Sequence, residues 1–529
     1  MPATTPSGLV KACALSELRQ RQRVTYRHGR KQIAIFATDK GVFACNNRCP
    51  HEGYPLAVGT LSDGCVLTCN WHNWKFDLAG GKTLVGGDRL RTYPVTMRGD
   101  AVFLDLSEPP AELRREQALD RLREAFEDYD YDRMARELAR LERAGAAPLA
   151  GLAAALRWSH ERFEYGMTHA QAATADWLAL RESEPRDAVR RLVPVLEAVA
   201  HLSWDCLREP AHPYASDVKP FDGHALVEAI EAEDEAAAVA YVRGGFRDGL
   251  GYADLEPWLF KAALGHYQDF GHSVIYVYKT GQIAKRLGAE LLEPLVLPLV
   301  RSLVYAQRED LVPEFRGYAR NLARWDGQGA AAVRPEDFQG VSVNQALKRA
   351  RAANGGPHAL YHALLGALAW NLLHFDLAVQ DRTDNPVSQN VGWLDFTHGI
   401  TFANAVRNAC GRSPELWPNG LAQMACFAGR NSGFLDRSVD VAEWRVEAPL
   451  DFVDGALADL FDHGQPEHIV VAHYLKTLNA AREEIAATPQ AAWVPTLAAA
   501  LNRLLHSPLK RRHVARTARQ ALSFVAQEG

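Results

Sequence analysis

Between Leu9 and Leu106 apolar and polar residues alternate at every second position, as in QRVTYRHGRKQIAIFATDKGVFACNN. Turn signals interrupt the alternation at His28-Gly29, Asp39-Lys40-Gly41, Asp63-Gly64 and Gly80-Gly81. A period of two places one set of side chains on one face of a pleated strand, so this stretch predicts a small antiparallel β domain. Ser107-Glu108-Pro109-Pro110 ends it. Proline starves a strand ladder of donors but is tolerated in the first turn of a helix. From Ala111 the apolar spacing lengthens to three and four, beginning AELRREQALDRLREAFEDYDYDRMARELARLERAG. Everything beyond reads as about fifteen helices separated by Gly, Pro, Asn and Asp, with no run of alternating strands. The predicted fold class is multidomain α and β, a small antiparallel β domain followed by a large all-α helical domain. The expected limits are 1–107 for the β domain, 108–330 for a first helical lobe and 331–529 for a second, with a soft division at Gly327 to Pro335 (GQGAAAVRP). No fixed period of a solenoid is present.

With 529 residues, 47% apolar and 23% charged, the chain has the composition of a globular protein rather than a disordered one. MPATTPSGLVKACALSELRQR holds no apolar run long enough for a signal peptide, and the most apolar later stretch, Leu291 to Ala306, is broken by Pro294, Pro298 and Arg301. A cytoplasmic protein that neither spans nor binds a membrane is expected. Eight cysteines in a chain of this length make no disulfide framework, in keeping with a reducing compartment. The net charge of −5 divides into +5 over residues 1–110 and −10 over the rest, an asymmetry suited to docking an acidic electron donor on the basic part. No nucleic-acid partner is suggested. The basic run Lys510 to His513 reads as a solvated helix face.

Two short segments carry the chemistry. Cys49-Pro50-His51 and Cys69-Asn70-Trp71-His72 each offer one thiolate and one imidazole, with seventeen residues between His51 and Cys69. A zinc knuckle usually takes both sulfurs from one turn and both histidines from one helix. Here each arm supplies one of each, which suits unequal ligation of two irons; a mononuclear zinc site is the alternative. The wider text, CPHEGYPLAVG and CNWHNWKFD, resembles the two cluster loops of bacterial Rieske ferredoxin-type domains from about Val10 to Leu106. The resemblance implies a [2Fe-2S] cluster with Cys49 and Cys69 on one iron and His51 and His72 on the other. It also implies a low potential within the Rieske range, because Gly53, Tyr54, Asn73 and Trp74 stand where high-potential relatives carry a disulfide and a serine hydroxyl. Cys45 and Cys65 read as buried thiols, and Tyr54 and Trp74 as shields of the cluster.

A cluster of this kind moves single electrons and makes no bonds, so the helical region is expected to hold the second partner of the transfer. The D-x2-H-x4-H run of Rieske ring oxygenases is incomplete: Asp269-x2-His272 occurs, but Val277 follows five places later. Helical bundles build metal sites by projecting Asp, Glu and His inward at i, i+3 or i, i+4. Eleven of nineteen histidines lie between His160 and His398. His266, Asp269, His272, Asp395 and His398 are the foremost candidates for a non-haem iron or haem. His358 with His362, His201 with Asp205, Glu164 with His169 and His374 with Asp376 stand behind them. The twofold Glu-x2-His signature of di-iron bundles is absent.

The leading functional reading is an oxidoreductase. Electrons from a ferredoxin or flavoprotein reductase pass through the cluster to an oxygen-activating site that acts on a small organic molecule. Trp370, Phe375, Trp393, Phe396 and Phe402 are candidate walls of an apolar pocket. The rival reading is a non-enzymatic electron carrier or redox sensor with a helical docking scaffold.

Overall fold

The structure, a computed structural model, describes residues 9–528. Residues 1–8 and Gly529, which the expected domain limits include, lie outside them. The chain divides into two compact units. One holds the described residues up to Leu122 with Ala139–Ala146, and the other holds Arg123–Leu138 with everything from Ala147 onward.

The first unit is built mainly from antiparallel sheets. Strands Arg23–His28, Lys31–Thr38 and Gly41–Asn46 pair in sequence and Thr92–Tyr93 closes that sheet, while Leu9–Ala14 pairs with Ala101–Asp105 across the domain. A third sheet of three-residue strands, Thr60–Ser62, Val66–Thr68, Lys75–Asp77 and Thr83–Val85, carries the second cysteine-histidine segment. The turns fall where the sequence places them. Gly29, Asp63, Gly64 and Gly81 all adopt positive φ there, the backbone twist that tight hairpins require. One element differs from the expected run of strands, a helix at Leu15–Arg21 that buries Leu15 and Leu18. Its two buried leucines are three residues apart, too few to register as a helical period.

After Pro110 nineteen α-helices follow among the described residues, more than the fifteen expected. The surplus comes from short helices such as Gly317–Leu322, which fall below the length at which periodicity is visible. The Lys510–His513 run is not helical and leads into helix Val514–Val525, with Lys510 Nζ 3.0 Å from Asp381. No described helix is long and apolar enough to cross a membrane.

Four helices organise the core of the second unit: His169–Ser183, His272–Leu287, Trp393–Arg412 and His468–Ala487. Each packs against two of the others, so they close a four-helix ring drawn from both sides of residue 330. A polar tie crosses it. Lys279 Nζ donates to Asp176 Oδ1 at 2.7 Å, with both side chains almost fully buried, and Asn479 Nδ2 donates to the same oxygen at 3.2 Å. Taking one partner from such a pair leaves a buried charge uncompensated. Lys279→Met is therefore expected to lower the unfolding free energy by about 3 kcal/mol, read as a shift of the urea midpoint, and the double variant Lys279→Met, Asp176→Leu should recover much of it.

Candidate metal centres

The two cysteine-histidine segments form loops of matching shape. Cys49 N–H donates to Tyr54 O (2.9 Å) and Gly53 N–H returns to Cys49 O (2.8 Å). Cys69 N–H donates to Trp74 O (2.8 Å) and Asn73 N–H returns to Cys69 O (2.9 Å). Gly53 and Asn73, each four residues after its cysteine, turn the chain through the left-handed region at φ +76 and +60, a conformation open mainly to Gly and Asn. The sequence so produces the same turn twice, and the two cysteines come together. Both are buried at 4% and 1% exposure. Burial, reinforced by the neighbouring Cys69, pushes the Cys49 thiol up to about 11, although the His51 and Glu52 backbone amides pull the other way. The His51 and His72 rings meet edge on with centroids 4.6 Å apart.

The donor set fits a cluster on one further observation: His51 Nδ1 is buried without any hydrogen-bond partner, which is costly unless something coordinates it. Trp74 stacks on His51 at 4.5 Å, and a Cβ at Gly86 would stand 2.3 Å from that indole, so only glycine lets the shield close. Tyr54 stacks on Trp71 further out, and Trp71 Nε1 donates to Glu52. Cys45 is buried and Cys65 half-buried, both free thiols.

The helical unit holds a second convergence. His169, His272, His398 and His473, one from each helix of the ring, point their Nε2 atoms at one another. His272 to His169 is 3.0 Å, His398 to His272 is 2.9 Å and His473 to His398 is 3.3 Å. In three of the rings the other nitrogen is spent on a backbone carbonyl: His272 Nδ1 on Asp269 O (2.6 Å), His398 Nδ1 on Leu394 O (2.8 Å) and His473 Nδ1 on Ile469 O (2.6 Å). A carbonyl only accepts, so each Nδ1 carries the proton and each Nε2 presents a lone pair. Burial, with Lys476 nearby, holds His272 down at about 3, and burial with mutual repulsion holds His169, His398 and His473 well below the usual imidazole range. Protons therefore do not neutralise the facing lone pairs near pH 7. Ligand bonds of about 2.0–2.1 Å at right angles around one metal ion would set nitrogens roughly 2.9 Å apart, close to the separations found.

The surroundings are strained and polar. Asp269, Phe270 and Gly271 adopt positive φ in succession (+47, +53, +78) immediately before His272, a conformation that costs about 1–3 kcal/mol per non-glycine residue. A Cβ at Gly271 would reach to 2.7 Å of Phe402. The bend seats the Phe270 ring against His398 at 5.2 Å, and the Arg430 guanidinium lies over the same ring at 4.0 Å. Burial raises Asp269 to about 7 and Glu309 to about 8, the latter despite a 2.9 Å hydrogen bond from Phe270 N–H. Lys476, fully buried with no partner for Nζ, is lowered by burial to about 7.

Of the residues expected at a second site, His272 and His398 meet, and Asp269 contributes its carbonyl. His266 is elsewhere, held between Asp310 (2.8 Å) and Glu231 (3.0 Å) in a part-exposed ion-pair cluster that raises its pKa. Its spacing of six from His272 spans a non-helical bend, so the helical register that linked them in sequence fails. Asp395 is spent on its own helix terminus, accepting Gly392 N–H at 2.7 Å. His169, ranked lower in sequence, is in the group. His473 was overlooked because it lies beyond the histidine-dense region; a histidine inside the apolar run IVVAHYL was the available signal. Phe375, Trp393 and Phe396 pack on one another in the core, and Phe402 packs on Phe427.

The Rieske [2Fe-2S] domain family matches residues 8–94. The biphenyl dioxygenase ferredoxin subunit of Pseudomonas sp. is 31% identical over 99 residues, which are 18% of this chain and 91% of that protein. The 4beta-methylsterol monooxygenase of Methylococcus capsulatus is 34% identical over 104 residues, 17% of this chain and only 28% of that protein. Among solved structures, a Sphingomonas yanoikuyae B1 ferredoxin aligns at 26% identity over 18% of this chain and 98% of its own, with a TM-score of 0.17. Through its N-terminal part this chain belongs to the Rieske [2Fe-2S] family, and its cofactor there is a Rieske [2Fe-2S] cluster.

Glu309 makes the electrostatics testable. A carboxyl raised from 4.5 to about 8 in the folded state holds a proton that the unfolded chain has released, so stability falls as pH rises between those values. Glu309→Gln should flatten the slope of unfolding free energy against pH from about 5 to 8 by close to 1.4 kcal/mol per pH unit, measured by denaturant titration of metal-free protein.

Proposed function

We propose that this protein is a self-contained Rieske oxidoreductase. Cys49 and Cys69 hold one iron of the cluster and His51 and His72 the other. His169, His272, His398 and His473 hold a single iron in the helical unit. Electrons come from a ferredoxin or flavoprotein reductase, and the product is an oxidised small organic molecule. The single observation that carries the reading is the convergence of four Nε2 atoms from four helices, three of them held as lone-pair acceptors by the carbonyl bonds of their Nδ1–H groups. It is an arrangement that costs free energy without a cation and suits a borderline metal that accepts imidazole.

When bound, the cluster supplies single electrons and the second metal supplies oxygen activation. This chain's residues do the rest. The exposed edges of His51 and His72, 32% and 39% accessible, lie where a redox partner can approach. The carbonyls of Asp269, Leu394 and Ile469 fix the tautomer of three ligands and raise their basicity. Asp269, Glu309 and Lys476 stand near neutrality and can hold or release a proton beside the site. Relatives named as a dioxygenase ferredoxin subunit and a sterol monooxygenase support a role in oxygenase chemistry.

Iron analysis tests this directly. The expected content is the two irons of the cluster plus one more per chain. His272→Ala or His398→Ala should remove the extra iron and abolish substrate-dependent oxygen uptake, leaving the electron paramagnetic resonance spectrum of the reduced cluster intact. Two irons in the unaltered protein would favour the electron carrier or sensor instead.

A further inference from the structure

Behind the four-histidine group lies a second polar cluster that ligates nothing in the reading above. Its centre is Glu197, on helix Ala188–Cys206, at 3% exposure. Tyr131 Oη donates to Glu197 Oε1 at 2.5 Å, and His463 Nε2 and His468 Nδ1 each stand 3.4 Å from Oε2. Burial by itself would raise this carboxyl, yet the three partners together hold it well below the usual range. It is a fixed anion. An anion on the Nδ1 side of His468 keeps the proton on Nδ1, so Nε2 is an acceptor, and Tyr129 Oη lies 2.6 Å from it. Tyr129 is held there at φ +51, a conformation that non-glycine residues avoid. Its ring meets the indole of Trp204 edge on at 5.0 Å, and Trp204 is 54% exposed. On the inner side, His468 stacks on His201 at 5.2 Å, and His468 and His473 share one helix with about 7.5 Å of rise between them.

Taken together, a surface tryptophan, a phenol with a strong hydrogen bond to an imidazole, and a carboxylate behind that imidazole run inward toward His473. We propose that Tyr129 is a redox-active tyrosine, with His468 as its proton acceptor and Trp204 as its outlet to solvent, and that the three form a one-electron relay between the surface and the four-histidine centre. The relay rests on the metal reading above for its inner terminus. In the step, with a metal at the four histidines oxidised by one electron by dioxygen, Tyr129 would give one electron inward while its phenolic proton moves to His468 Nε2. The imidazolium so formed is neutralised by Glu197, and a neutral tyrosyl radical remains. Trp204 then gives an electron to that radical, and the proton returns from His468 to the phenol oxygen. A thiolate in solution restores Trp204 and leaves as a thiyl radical. The relay removes oxidising equivalents when no substrate is present to consume them.

A photo-oxidant in solution tests the tyrosine without depending on the metal. Full-length protein flashed with a ruthenium photo-oxidant and freeze-quenched should give a neutral tyrosyl spectrum. A nitroso spin trap followed by peptide mass mapping should place the adduct on Tyr129 in the unaltered chain. Tyr129→Phe should lose that signal, while Tyr131→Phe keeps it. His468→Gln, checked for folding by circular dichroism, should slow radical formation by about a hundredfold, the low end of what a positioned proton acceptor contributes. Trapping that spares Tyr129, or an unchanged radical yield in Tyr129→Phe, would overturn the relay. Because the oxidant is external, a missing third iron in the same sample would sink the four-histidine centre without silencing Tyr129.

Discussion

The helical unit depends on one electrostatic constraint: imidazole nitrogens from four helices that face each other at about 3 Å. Each Nδ1–H of His272, His398 and His473 is committed to a carbonyl one turn back, so none can rotate its tautomer to relieve the crowding. Protonation is the other escape, and burial closes it. The three Nε2 atoms therefore face one another as acceptors. The buried tie between Lys279, Asp176 and Asn479 lies between the same helices and holds them at the required spacing. The strained turn at Asp269 to Gly271 belongs to the same account, because it swings His272 to the head of its helix and aims its ring inward. Strain and lone-pair repulsion persist together only where packing over-determines the site.

The β unit solves a related problem by repetition. Two loops of the same hydrogen-bond pattern each present a cysteine at their base, and the sequence distinguishes them only in where the histidine falls, two places on in the first and three in the second. The Cys49 thiol, pushed upward by burial, gains from a metal that takes its proton. The two cysteines lie on the buried side and the two histidines at the exposed end, so thiolate charge is confined to the buried side. Stacking of Trp74 on His51 fixes the ring and limits water at the same time.

Much of this was legible in the chain. Alternation and Gly-containing turns specified the β unit, and the mixed cysteine-histidine arms specified its cofactor, because both signals are local. The helical centre was legible only in part. Its four histidines come from helices far apart in the chain, with neighbours in the group 75 to 126 residues apart, so no spacing rule links them. The apparent D-x2-H pair misled in one respect: its aspartate serves through a main-chain oxygen rather than its carboxylate. His266 looked equivalent to His272 on a helical wheel that the Asp269–Gly271 bend breaks. Asp395 looked like a ligand but caps its own helix, a competing use of aspartate near an N-terminus that sequence alone does not separate from ligation.

The same constraint explains why so many groups near the site sit close to neutral pH. Without a cation, Lys476 gains nothing by keeping its charge beside imidazoles it repels, and Asp269 and Glu309 gain little by ionising in a buried place. A metal at the four nitrogens reverses each balance. It would favour the ionised carboxylates and disfavour the ammonium, and so would couple metal uptake to proton release at these three residues. Glu197, pinned as an anion by His463, His468 and Tyr131, is the counterweight that stays charged in either state. Buried ionisable groups in such number are costly for packing alone and cluster at functional sites, which is the physical ground for the proposed metal centre.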